Sequence, residues 1–89
     1  ADWWSHLSAM QPDPNAPYDQ YIDINRQRVR RIVKSLVLAP ETIAAAQAAP
    51  QGTHWLVLNE HWCGDGAQIL PVLDAIATAS AGRITMRGL

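Results

Sequence analysis

Among 89 residues there is a single cysteine, Cys63. One thiol cannot close an internal disulfide, so a disulfide-stapled scaffold is excluded; a reducing compartment is the expected setting and the cytoplasm the expected address. No apolar run reaches the ~18 residues of a membrane-spanning helix. The opening Ala1-Asp2-Trp3-Trp4 lacks the basic start and apolar centre of a signal peptide. Charged residues are few, 17% against 48% hydrophobic, which excludes a self-repelling disordered chain and calls for a packed core rich in tryptophan. A chain this short forms one domain at most and buries only a little over ~60% of its unfolded surface, so its stability margin is thin.

What is present has a clear order. Trp3, Trp4, Leu7 and Met10 at helical spacing predict a short helix over 3–10, with Asp2 as its cap, until three prolines between 12 and 17 break it. Tyr18, Tyr21, Ile22, Val29, Ile32, Val33 and Leu36 form one stripe, which predicts a long helix over 18–38. Pro40 suits the first turn of a third helix, ended by Pro50-Gln51-Gly52. His54 to Asn59 is a short apolar run without alternation and predicts a central strand covered on both faces. Cys63-Gly64-Asp65-Gly66 then turns the chain into a helix over about 66–80 with a wide apolar face, Gly82 breaks it, and 83–89 reads as a second strand. A strand, a four-turn helix and a strand make a crossover unit with parallel strands.

The residues 56–74, Leu-Val-Leu-Asn-Glu-His-Trp-Cys-Gly-Asp-Gly-Ala-Gln-Ile-Leu-Pro-Val-Leu-Asp, resemble the strand, redox loop and first helix turns of the thioredoxin-like superfamily. Trp62-Cys63-Gly64 matches the start of the redox loop, and Pro71 matches the proline that kinks the helix behind it. The nearer resemblance is to a bacterial branch in which Trp-Cys-Gly-Asp is followed by a small residue and a helical extension precedes the domain. The expected architecture is therefore α/β: an all-helical extension over 1–50 and the N-terminal part of a thioredoxin-like domain over 51–89. The family's cis-proline loop, last two strands and closing helix have no counterpart within these residues; the expectation is that this closing half lies outside the chain, with dimerisation or strand exchange as the other way to cover an open sheet edge.

The resemblance makes Cys63 the catalytic residue of a thiol–disulfide oxidoreductase, with Trp62, Gly64, Asp65 and Gly66 as the active-site loop and Trp62 as a ring over the thiol. Physical chemistry points the same way. A sulfur just before a helix start meets unpaired N–H groups and the positive end of the helix dipole, which favour the nucleophilic thiolate. Three departures shape the expected mechanism. Gly66 stands where thioredoxins keep a resolving cysteine, Asp65 where they keep proline, and Val57 where they keep a buried carboxylate. A dithiol cycle within one chain is thus excluded. A monothiol cycle remains, in which a mixed disulfide is resolved by an external thiol such as glutathione, and so does a redox-inactive binding or scaffolding module on the same framework. The expected partner is a protein or small-molecule disulfide or thiol.

Other patterns carry less. His54, Glu60, His61, Cys63 and Asp65 lie close in sequence, but one cysteine and a His-x-Cys spacing fit no zinc pair, so neither metal nor resident cofactor is expected. Asp65 reads as a helix cap or solvated turn residue rather than a general base. Arg26, Arg28, Arg30, Arg31 and Lys34 supply five of the seven basic residues within nine positions; net charge is −1, and a solvated helix face is the expectation over a nucleic-acid contact. Trp3, Trp4, Tyr18 and Tyr21 are expected to dock the extension onto the domain.

Overall fold

The computed structural model describes residues 2–88. Helix α1 (Asp2–Ala9) leads into the proline-rich connector, a short 3-10 turn at Asp19–Tyr21, and helix α2 (Ile22–Ser35). Helix α3 (Pro40–Gln47), strand β1 (Thr53–Val57), helix α4 (Gly64–Ala79) and strand β2 (Ile84–Gly88) complete the order. The expected cap at Asp2 depends on a side chain outside the described residues.

The long helix expected over 18–38 is shorter at both ends. Tyr18 takes a left-handed conformation (φ 68°), so the chain enters α2 through the 3-10 turn. At the other end Leu36 is extended (ψ 128°). Ser35 Oγ donates back to the Arg31 carbonyl at 2.8 Å, an arrangement that competes with helix propagation, and Pro40 further on disfavours helical backbone in the residue before it. Pro40 itself opens α3, as the missing N–H allows.

β1 and β2 pair in parallel, Thr53 opposite Ile84 through Val57 opposite Gly88. The crossover is α4, and the turn out of it is made by Ala81 (φ 57°) and Gly82 (φ 86°). Ser80, fully buried, joins the two elements: its Oγ donates to the Ala77 carbonyl at 2.6 Å and accepts from the Ile84 N–H at 2.9 Å. Strand pairing and crossover give the expected partial thioredoxin-like α/β fold. One expectation fails. β1 is not covered on both faces: Thr53, Trp55 and Val57 are partly buried while His54 and Leu56 are exposed, so among the described residues only one face of the sheet is packed.

The core lies between the helices. Leu7 of α1, Ile22 and Val29 of α2 and Ala67 of α4 form one buried cluster, with Trp3, Trp4 and Met10 packed against it. Small Ala67 lets α2 cross close to the start of α4, which brings the extension directly against the loop that carries Cys63. Arg26 secures the other side. Its Nε donates to the Leu7 carbonyl at 3.0 Å and a second guanidinium nitrogen donates to the Met10 carbonyl, so a side chain of α2 closes the C-terminal end of α1.

Candidate functional site

Cys63 is the N-cap of α4. Its backbone is extended (φ −77°, ψ 112°), and its Sγ accepts a hydrogen bond from the Gly66 N–H at 3.4 Å. The thiol itself satisfies one of the orphan donors of the helix start. The helix therefore begins at Gly64, two residues earlier than the sequence pattern places it. Asp65 does not cap; it sits exposed in the first turn, where a carboxylate complements the dipole. Cys63 is partly exposed and lines a cavity of about 740 Å³, together with Trp3, Met10, Asn59, His61 and Arg87.

A larger residue at position 66 requires the Asn59 side chain to shift. A Cβ at this position would overlap the carboxamide of Asn59. Gly64 is crowded in a different way. A Cβ there would lie 2.6 Å from Nη1 of Arg28, so the guanidinium rests on the backbone next to the cysteine.

Two polar contacts hold the loop against the helical extension, each backed by a further hydrogen bond within the extension. Asn25 of α2, only 1% exposed, donates from Nδ2 to the His61 carbonyl at 2.7 Å and accepts from Arg28 Nη1 at 2.9 Å. The His61 ring meets Asp19 across 2.8 Å between Nε2 and Oδ1. The other oxygen of Asp19 accepts from the Asp13 N–H at 2.9 Å, so one carboxylate ties connector and loop together. His61 is thus engaged by a carboxylate of the extension. Among the described residues no cluster of three or more His, Cys, Asp or Glu is placed to hold a metal ion.

Trp62 lies at the surface with its ring tilted against Tyr18, centroids 5.0 Å apart, and Tyr18 stacks in turn on Tyr21 at 6.5 Å. This corrects one expectation. Trp3 and Trp4 do pack onto the core, but Tyr18 (55% exposed) and Tyr21 form with Trp62 an exposed aromatic group beside the loop. The basic stretch also divides. Arg26 and Arg28 are partly buried with protein partners and Arg30 lies 5.7 Å over the Trp4 ring, while Arg31 and Lys34 are exposed; a solvated face describes only part of it.

Sequence reasoning singled out the consecutive residues Trp62, Cys63, Gly64, Asp65 and Gly66; in the structure Cys63 caps α4, 64–66 form its first turn and Trp62 precedes it. It missed Asn25, Arg28, Asn59 and Asp19. Asn25 and Arg28 carried a faint signal: a polar residue on the apolar side of a helical stripe and a basic residue one turn from it.

A family model described as thioredoxin matches residues 11–88. The chain belongs to this thioredoxin family. The match starts within the connector, so it takes in α2 and α3 as well as the βαβ unit. No curated protein and no solved structure matches the chain. Val57 is a strand residue opposite Gly88, and position 66 is filled from outside by Asn59.

Proposed function

We propose that this protein is a monothiol thiol–disulfide redox protein of the Trp-Cys-Gly-Asp-small type, acting through Cys63. The observation that carries the reading is the cysteine at the N-cap of α4, partly exposed, with its sulfur accepting from the Gly66 N–H. That hydrogen bond and the helix dipole support negative charge on sulfur both as it attacks and as it is released. The sulfur of Cys63 attacks one sulfur of a substrate disulfide; the old S–S bond breaks, its second sulfur departs as a thiolate, and a mixed disulfide forms. A thiol of the glutathione class, supplied in a reducing compartment such as the cytoplasm, attacks the substrate-derived sulfur and regenerates Cys63.

The competing reading is a binding module on a thioredoxin framework, favoured by Asn59 standing where a resolver would be. Incubation of the full chain with oxidised glutathione, followed by intact mass, separates the two. The redox reading expects one glutathione adduct, removed by excess thiol and absent from Cys63→Ser. A chain that stays unmodified under conditions that glutathionylate a free-cysteine peptide supports the binding module instead.

A further inference from the structure

We propose that Arg28 selects the partners of Cys63, favouring disulfides and thiols that carry a carboxylate near the sulfur. This deepens the monothiol reading and rests on it. One hydrogen bond and one packing contact place the guanidinium. Its Nη1 donates to Asn25 Oδ1 at 2.9 Å, and Asn25 is itself buried and fixed by the His61 carbonyl at 2.7 Å. The same nitrogen also rests on Gly64, where a Cβ would come within 2.6 Å of Nη1 and 3.4 Å of Cζ. Gly64 directly follows the cysteine in the chain, so the guanidinium lies against the residue next to the nucleophile.

That cation is incompletely partnered. Arginine carries five donors, and the contact with Asn25 uses one. Among the described residues the two carboxylate pairs are Asp23 with Arg26 and Asp19 with His61; no carboxylate pairs with Arg28. The two acidic residues nearest Cys63 in sequence, Glu60 and Asp65, are exposed and make no side-chain hydrogen bond among the described residues. A planar donor fork beside the positive end of a helix matches a carboxylate in geometry and sign.

The place of the anion in the reaction follows. When Cys63 attacks R–S–S–R, the S–S bond breaks, one R–S group joins Cys63 and the other leaves as a thiolate that takes a proton from water. With R bearing a carboxylate, Arg28 meets that charge on the bound half. The resolving thiol then attacks the R sulfur, and Cys63 departs as the thiolate.

The test compares mixed-disulfide formation by the full chain with three disulfides: oxidised glutathione (anionic), bis(2-hydroxyethyl) disulfide (neutral) and cystamine (cationic), followed by intact mass. Wild type is expected to rank glutathione above cystamine relative to the neutral disulfide, and about 0.5 M salt to compress the ranking. Arg28→Gln lowers the glutathione-to-neutral ratio about fivefold, the scale of one partly solvated charge pair, and Arg28→Lys retains most of it. An equal loss with all three disulfides in Arg28→Gln marks a purely structural role and overturns the proposal. So does a wild type without charge ranking, a result that needs no variant to fold. Absence of any adduct on wild type takes down the monothiol reading as well, whereas adducts without ranking remove only the role of Arg28.

Discussion

The side-chain amide of Asn25 donates to the backbone carbonyl of His61 at 2.7 Å, joining the middle of α2 to the loop that carries the thiol. Asn25 is almost completely buried, so its polar atoms have been taken from water and need these partners. We expect Asn25→Ala to cost about 1–3 kcal/mol, because the His61 carbonyl loses its donor and Arg28 its anchor. Urea unfolding followed by tryptophan fluorescence reads the loss. An unchanged midpoint would show that water replaces the amide without penalty.

Position 66 yields a second prediction. A methyl group there meets the Asn59 carboxamide, so Gly66→Ala should destabilise by about 1–3 kcal/mol, and much less in an Asn59→Ala background. The same logic applies to restoring a dithiol. Gly66→Cys alone should form an intrachain disulfide poorly, and Gly66→Cys with Asn59→Ala more readily, counted as free thiols left after mild oxidation. Equal oxidation of the two variants would mean that Asn59 swings aside freely.

Arg26 supplies the third. It is the side chain that satisfies the Leu7 and Met10 carbonyls at the end of α1, and its Asp23 partner at 3.1 Å is largely solvated and worth little. Arg26→Ala is expected to lower stability by about 1–3 kcal/mol and to loosen α1, with Trp3 and Trp4 emission moving to longer wavelength. Arg26→Lys should rescue only in part, since an ammonium lacks the fork that spans two carbonyls. Emission that stays put in Arg26→Ala would place the anchoring of α1 in its apolar contacts alone.

Much of the architecture was legible because it depends on neighbours in sequence. Pro40 opens α3, Gly82 follows the end of α4, and the length of the crossover requires parallel strands. The errors have physical causes. The glycine turn and the apolar face put the helix start at about Gly66, yet Sγ accepts from the Gly66 N–H and the helix begins at Gly64. A continuous apolar run is the pattern of a doubly covered strand and would put Leu56 in the interior, whereas among the described residues only one face is packed. Tyr18 and Tyr21 fit the helical stripe by spacing, but the left-handed turn at Tyr18 rotates the chain out of that register.

The sequence by itself determined that a strand yields to a helix near position 63, that the only cysteine stands at that junction, and that no second cysteine follows it within these residues. The tertiary structure alone decided what surrounds the sulfur: Arg28 on Gly64, Asn59 in the space beside Gly66, Asp19 on the His61 ring, Tyr18 against Trp62. The reason is range. Caps, breakers and periodicity act over one or two turns of chain, while most of these contacts arise only when α2 and the connector before it fold back across the start of α4, which no local pattern records.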